Sequence, residues 1–389
     1  MTDQSIGMTP QAPTTPLTAA DRRHLERALE LAEGGRGRVS PNPLAGSVIV
    51  REGEVIGEGF HAELGGVHAE VAALDACRAS GGDPSGATLY VTLEPCAHHG
   101  RQPPCAEAIL DAGISRVVVG CDDPSEKASG RGPGMLRDGG VEVTFAEGPE
   151  AAASRLLNQA FRKHARTGRP LVTLKSAMTL DGRTATGSGD SRWISGPESR
   201  ATVHRWRAEA DAVAVGIGTV LADDPLLTAR DTDGPVARQP RRVVFDSEAR
   251  LPLDSQLVRS QDLSPVLAVL TGTAPPERVA ALRDAGVETI VVDGSPAERV
   301  RAGLAELGRR DVTSLLLEGG ARLAGAFLDA GEVDVLRLFV APVLLGGADA
   351  RPLAAGAGAV SLESAERALA MDWERSGDDL LIRARLREW

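Results

Sequence analysis

Short runs of apolar and β-branched residues recur along this chain with helix-patterned stretches between them, and that alternation limits the available folds more than any other feature. In the first half the strand-like runs are 46–50, 55–60, 87–93 and 116–120, with a helix–strand pair over 134–145. Helical patterns cover 22–32, 67–78, 105–112 and 150–165, and Thr18 stands where an N-cap belongs. The link 51–54 is short enough to close the first two strands into a hairpin. Past the polar, Gly- and Pro-containing segment 166–170 the alternation restarts, with strands at 171–177, 212–216, 242–246, 266–270, 289–292, 314–317, 335–340 and 380–386. Strands separated by helices pair into sheets with helices packed on their faces, so both halves are α/β. No internal repeat of 20–50 residues is present.

A length of 389 residues fits two domains, each able to bury its own core. The expected division is a disordered tail over 1–17, one domain over 18–165 and a second over 166–389. With 42% apolar and 25% charged residues the chain is neither fibrous nor disordered, and no apolar run reaches the ~18 residues of a membrane span. The N-terminus lacks a secretory signal, which points to the cytoplasm. A net charge of −11 argues against general affinity for nucleic acid. Four cysteines, Cys77, Cys96, Cys105 and Cys121, are too few for a disulfide scaffold and point to metal or catalysis.

The chemical signal lies where strands hand over to helices. His68-Ala69-Glu70 opens one helix, while Glu94-Pro95-Cys96 closes a strand and Cys105 opens the next helix. One His and two Cys suit a catalytic zinc that keeps its fourth position for water. Helix N-termini favour the thiolate, because free N–H groups and the helix dipole stabilise negative charge. Zinc lowers the pKa of its water from about 15.7 to near 7. Glu70 is then free to take that proton and hand it to a departing amine, as hydrolytic deamination requires. His-x-Glu with Pro-Cys-x-x-Cys is the signature of zinc nucleobase deaminases. Here the second cysteine follows nine residues after the first, and the longer loop offers Arg101 to an anionic group.

A closed structural zinc site, with Cys77, His98 or His99 as fourth ligand, is the competing reading, and it predicts unfolding when a chelator removes the metal. Cys77 and Cys121 lie in apolar patterns and read as small core residues. His98 and His99 read as loop or substrate-facing residues, and His24, His164 and His204 as exposed ones. A second alternative is a tRNA or nucleobase deaminase with an accessory binding domain, against which stand the negative charge and an aromatic content of 3%.

These motifs do not stand alone. Ser40-Pro-Asn-Pro-Leu-Ala-Gly46, Gly59-Phe-His61, Val67-His-Ala-Glu70, Val91-Thr-Leu-Glu-Pro-Cys96 and Pro104-Cys105 occur in the first half. Leu174-Lys175, Thr179-Leu-Asp-Gly-Arg-Thr184, Ser191-Arg-Trp-Ile-Ser195, Thr219-Val-Leu-Ala-Asp-Asp-Pro225, Leu227-Thr-Ala-Arg230, Phe245-Asp-Ser247 and Leu317-Glu-Gly-Gly320 follow in the second. From about residue 19 onward the chain resembles the bifunctional riboflavin-biosynthesis deaminase–reductases, whose pattern includes the long cysteine loop. Ala45 stands where that family more often has Val.

The resemblance implies a cytidine-deaminase-like three-layer αβα domain followed by a dihydrofolate-reductase-like α/β domain. The first would deaminate 2,5-diamino-6-(5-phosphoribosylamino)pyrimidin-4(3H)-one. The second would use NADPH to reduce the ribosyl group of 5-amino-6-(5-phosphoribosylamino)uracil to ribityl. By motif, His68, Cys96 and Cys105 would bind one zinc and Glu70 would be the proton shuttle. Ala177, Trp193, Thr219, Asp223, Ser247, Gly320, Ala321, Arg322, Leu323, Ala324, Gly325 and Ala326 fall where the family binds NADPH. Ser191, Arg207, Leu227, Arg230 and Glu318 fall where it binds substrate. The expected partners are a phosphorylated pyrimidine and further copies of the chain in a homo-oligomer, with neither nucleic acid nor membrane.

Residue by residue, the reductase half is less explicit. Val215-Gly-Ile-Gly-Thr219 and Leu317-Glu-Gly-Gly-Ala-Arg322 are strand-to-helix turns where N–H groups can approach a phosphate, yet glycine pairs also serve as ordinary helix entries. Arg207 and Arg230 are candidates for bidentate contacts to a substrate phosphate, and Trp193 for covering a cofactor ring. The chain has three lysines, Lys127, Lys163 and Lys175. Lys175 sits in a strand-like apolar run, and two readings stand: a cation in the cleft that polarises a carbonyl, or a strand-edge lysine whose head reaches water.

Overall fold

The computed structural model describes residues 16–99, 103–125, 128–230, 236 and 238–389. Two compact units emerge, one of residues up to Val39 with Pro43–Asn158, the other of Ser40–Asn42 with Gln159–Trp389. Arg101, Lys127 and most of the expected tail lie outside the described residues.

The first unit runs α1 (Ala19–Ala32), β1 (Gly46–Arg51), β2 (Glu54–Phe60), α2 (Ala69–Ala79), β3 (Thr88–Val91), α3 (Cys105–Asp111), β4 (Arg116–Val119), α4 (Arg131–Asp138), β5 (Glu142–Phe145) and α5 (Gly148–Leu157). Thr18 and Asp21 form a reciprocal capping box that starts α1. The strands make one sheet in the order β2-β1-β3-β4-β5, antiparallel from β2 to β3 and parallel from β3 to β5. Alternate side chains of each strand serve opposite faces. Ile49, Leu89, Val91, Val117 and Val119 pack with α2, α3 and α4, whereas Val48, Val50, Tyr90 and Val118 pack with α1. That alternation produces the expected three layers.

The second unit runs α6 (Gln159–Thr167), β6 (Leu171–Thr179), β7 (Arg183–Ala185), α7 (Pro197–Glu209), β8 (Ala212–Gly216), α8 (Ile217–Asp223), β9 (Arg241–Phe245), α9 (Gln256–Arg259), β10 (Val266–Leu270), α10 (Pro276–Asp284) and β11 (Glu288–Val291). It continues with α11 (Pro296–Gly308), β12 (Ser314–Leu317), α12 (Ala321–Asp329), β13 (Val335–Ala341), β14 (Arg351–Pro352), β15 (Ala370–Ser376) and β16 (Asp379–Arg385). Among the described residues nine strands form one sheet in the order β11-β10-β9-β8-β12-β6-β13-β16-β15, parallel up to β13 and antiparallel beyond it. Its two faces bury separate apolar clusters, one around Leu174, Ala214, Leu315 and Phe327, the other around Val213, Val244, Leu257 and Leu316.

Three features depart from the sequence pattern. The helix expected over 150–165 is two helices, because Asn158 leaves helical geometry and its side-chain amide instead accepts from the Leu44 N–H and donates to the Leu44 carbonyl, both at 2.8 Å. The units accordingly part at Asn158, earlier than the expected 165. Helix α6 is tied to the second unit by the buried Lys163 ammonium on Asp334 at 2.7 Å and by His164 on the Gly308 carbonyl at 2.9 Å. Strand β15 carries no periodic signal in the sequence because it lies at the sheet edge with mostly exposed residues, so no buried face imposes a period.

Candidate active sites

In the first unit, α2 is seated against the hairpin because Gly57 and Gly59 bring β2 against its backbone, where a Cβ would stand 2.4 Å from Ala73 O or N. His68 is its N-cap and Glu70 lies in its first turn. Strand β3 ends just before Thr92, and the following loop carries Cys96 to the N-terminus of α3, where Cys105 begins the helix. The Cys105 N–H donates to Cys96 Sγ at 3.3 Å, and the Ala106 N–H to the Cys96 carbonyl at 3.1 Å. Chain segments far apart in sequence thereby converge.

His68 Nδ1 lies 3.7 Å from Cys96 Sγ and 3.3 Å from Cys105 Sγ, and the three donor atoms fall within 4.8 Å of one another. Tetrahedral zinc with bonds of about 2.3 Å to sulfur and 2.0–2.1 Å to nitrogen sets such donors roughly 3.6 Å apart, so this donor set fits the ion. Among the described residues it is the one His/Cys/Asp/Glu group so arranged. The Cys105 thiol donates to Cys96 and, with the His68 ring, draws the Cys96 thiol down to about 4. Facing that sulfur and Glu70 in a buried place, Cys105 is pushed up. A cation at the centre is what lets both ionise. Burial, then the neighbouring Cys96, raises Glu70 to about 7.

Neither Cys77 nor either exposed histidine supplies a fourth ligand. Cys77 is in the apolar core, Cys121 is buried, and His98 and His99 are exposed. His61 had no role assigned from sequence, although it stands within the Gly59-Phe-His61 motif. It is buried, its ring lies edge-on to His68 at 5.3 Å, and Nδ1 donates to the Val67 carbonyl at 2.9 Å, in keeping with burial lowering its pKa.

In the second unit a cavity of about 760 Å³ opens at the carboxyl ends of β6, β8 and β12, where the direction of strand addition reverses. Open α/β sheets place their ligands at this point. Lys175, Ala177, Ser191, Trp193, Arg207, Thr219, Asp223, Leu227, Arg230, Glu318, Gly320 and Ala321 all line it. Arg192, Arg200 and His204 line it too, and sequence reasoning had not selected them. His204 is half-buried and bonds the Thr228 carbonyl at 3.2 Å; His24 and His164 are likewise half-buried, where exposure had been expected. Polar helical stretches conceal such residues because one face of each helix still packs.

Other expected residues stand elsewhere. Of the stretch from Gly320, only Gly320 and Ala321 reach the cavity, since α12 points only its first turn there. Ala324 belongs to the apolar core, Leu323 and Ala326 pack against it, and a Cβ on Gly325 would overlap Ala355 O. Arg322 and Ser247 are outside the cavity wall; the Ser247 carbonyl accepts from Thr271. Leu227 sends its side chain into the core and has φ 55, a strained left-handed backbone at the cavity wall.

Arg207 does not extend a free fork to a phosphate. Its Nε and Nη2 grip the Glu318 carboxylate at 2.6 and 2.9 Å, and Nη1 donates to the Thr228 carbonyl at 3.2 Å. Lys175 Nζ lies 3.7 Å from the same carboxylate. Burial alone would raise Glu318, yet the charges of Arg207 and Lys175 hold it at about 2, while burial pulls Lys175 below its ordinary value. Trp193 is 70% exposed at the mouth with the Arg200 guanidinium 4.7 Å over its ring. Gly218 has open space where a side chain would stand, and a Cβ on Gly320 would meet only the Thr219 hydroxyl, leaving room for a nucleotide to approach the backbone.

Comparison with known proteins agrees with this geometry. Residues 18–121 match the cytidine and deoxycytidylate deaminase zinc-binding region, and residues 170–382 match the RibD C-terminal domain. The riboflavin biosynthesis protein RibD of Actinobacillus pleuropneumoniae is 41% identical over 367 residues, covering 94% of this chain and 95% of that protein. The chain belongs to the RibD family. RibD of Escherichia coli K12 is 38% identical, covering 93% of this chain and 98% of that one. Among solved structures, Acinetobacter baumannii RibD superposes with a TM-score of 0.83 at 37% identity, covering 95% of this chain and 99% of that one. A Thermotoga maritima diaminohydroxyphosphoribosylaminopyrimidine deaminase/5-amino-6-(5-phosphoribosylamino)uracil reductase superposes with a TM-score of 0.81 at 36% identity and the same coverages. The RibD-family fold thus spans both units. Among the described residues, no helix is long and apolar enough to cross a membrane.

Proposed function

We propose that His68, Cys96 and Cys105 hold zinc, that Glu70 is the proton shuttle of the deaminase, and that the second-unit cavity binds NADPH and the ribosyl substrate. The chain is a bifunctional enzyme of riboflavin biosynthesis, a pyrimidine deaminase and an NADPH-dependent reductase. Its substrates are 2,5-diamino-6-(5-phosphoribosylamino)pyrimidin-4(3H)-one and then the deaminated 5-amino-6-(5-phosphoribosylamino)uracil. The first unit carries deamination and the second carries reduction.

The observation that carries the deaminase assignment is the gathering of one imidazole and two sulfurs within 4.8 Å beside a buried carboxylate. When bound, zinc supplies a water acidic enough to attack at neutral pH. Glu70, buried beside the three donors, would accept that water's proton on its carboxylate and release it to the departing amino nitrogen. His61, neutral and fixed on Val67, holds the His68 ring edge-on in its orientation.

In the second unit NADPH supplies the hydride when bound. Thr219, Gly320 and Ala321 would give it a wall, Trp193 would cover it, and Ser191 and Arg230 would face the substrate. Lys175 stands beside Glu318 in the cavity wall, where its Nζ would donate to the sugar carbonyl formed on ring opening. The exposed Met371 and Trp373 of edge strand β15, with Leu369 just before it, support a homo-oligomer, and we place the enzyme in the cytoplasm.

One experiment tests the whole. The diaminopyrimidine substrate is supplied, ammonia is followed, and NADPH absorbance is read after its addition. Glu70→Ala is expected to abolish the first signal while the second, started from the deaminated substrate, persists. Ammonia release by the variant at the wild-type rate overturns the assignment.

A further inference from the structure

Deamination as derived above makes no use of Glu94, although it is a carboxylate with 5% exposure two residues before Cys96. Burying such a group is costly unless hydrogen bonds replace its water. Both replacements come from the loop between β4 and α4. The Gly130 N–H donates to Oε1 at 2.6 Å and the Asp123 N–H to Oε2 at 3.4 Å. One side chain therefore grips this loop near its start and at its end. The Glu94 N–H in turn donates to the Cys121 carbonyl at 3.0 Å, so backbone and side chain hold the same segment.

The loop's far end bears directly on the ligand-carrying peptide. Gly130 is the N-cap of α4 at φ 74, and a Cβ on Gly132 in the first turn would stand 1.8 Å from the Pro95 carbonyl oxygen. Helix α4 therefore backs onto Pro95, while the N-terminus of α3 holds Cys96 through the Cys105 and Ala106 N–H groups. Cys96 is held between two helix N-termini, and the Glu94 carboxylate ties the second of them in place.

We propose that Glu94 is a positioning residue for the metal site: by accepting from the Asp123 and Gly130 N–H groups it presses α4 onto Pro95 and fixes the Cys96 sulfur where the ion requires it. This rests on the zinc assignment above. Glu94→Gln keeps size but replaces one acceptor with an NH2 group that faces an N–H donor, so the clasp opens on one side. Removing a partner that orients a ligand typically costs 10–100-fold in metal affinity.

The test is zinc affinity of the full chain by competition with a chromophoric chelator, with the ligand-field spectrum of the cobalt-substituted protein as second readout. Wild type is expected to bind one zinc, and Glu94→Gln to bind it 10–100-fold more weakly with altered cobalt bands. NADPH oxidation with the deaminated substrate should remain unchanged, which marks the second unit as folded, and a cooperative urea transition of the first unit should persist, which marks the first. Gly132→Ala, which pushes Pro95 from the other side, should loosen zinc in the same direction. Zinc affinity within twofold of wild type in both variants overturns this inference and leaves the zinc site standing. A wild-type chain that binds no zinc overturns both.

Discussion

The candidate metal site draws its donor atoms from His68, at the N-cap of α2, and from Cys96 and Cys105, the latter opening α3, each within a stretch short enough to be read as a motif. The reductase cavity instead collects its wall from β6, α7, α8, the turn after β12 and the loop 189–195, and many of those residues already spend their polar atoms on one another. In the first site the three donor atoms face each other within 4.8 Å. In the second, the Glu318 carboxylate is already paired with Arg207 and Lys175 before any ligand enters. Chemistry that needs a few soft donors can be compact, whereas binding a dinucleotide and a sugar phosphate needs a broad wall held by a buried ionic network.

The sharpest way to break this contrast is Glu70→Gln. Losing the shuttle should lower deaminase kcat by 10²–10⁴-fold, measured as ammonia release, with reductase turnover unchanged. A fall in both activities would show that the sites are not separable.

Next in size is Glu318→Gln, which leaves Arg207 and Lys175 as uncompensated buried cations. Breaking such a group typically costs ~3–5 kcal/mol, so urea unfolding of the second unit should shift strongly to lower denaturant and reductase activity should fall, while zinc affinity holds. An unshifted unfolding curve would mean that the network is decorative.

Acid titration examines the same network with a smaller effect. Glu318 is held at about 2 against an ordinary 4.5, so the ionised network stabilises fully above roughly pH 4.5 and that contribution fades as pH falls through 2. Wild type should therefore lose thermal stability across this window with a steeper slope than Glu318→Gln. Equal slopes would remove the carboxylate from the account.

The smallest expected change is at the cavity mouth. Trp193→Ala should raise the KM for NADPH by about 2–10-fold, the worth of one aromatic contact at ~0.5–1.5 kcal/mol, and leave deamination untouched. Intrinsic fluorescence should fall as NADPH covers the exposed ring in wild type but not in the variant.

Much of this was readable beforehand for local reasons. Strand and helix alternation, the Thr18 cap, His68, Glu70, Cys96 and Cys105 are each expressed within a few residues, because hydrogen-bonding period, capping and ligand type are short-range properties. Edge strand β15, the break at Asn158 and the half-buried His204 were not, since each depends on a neighbour distant in the chain: the absence of a covering layer, the Leu44 backbone, and the Thr228 carbonyl.

The amino-acid order by itself determined the two α/β halves and the donor set for a zinc-dependent deamination. Only the tertiary structure decided that Arg207 binds Glu318 rather than standing free, that α12 turns just its first residues to the cavity, and that Glu94 clasps the loop behind Cys96. The reason is physical: charge type and periodicity are inscribed residue by residue, but which buried charge satisfies which is settled only when desolvation forces distant groups to choose partners.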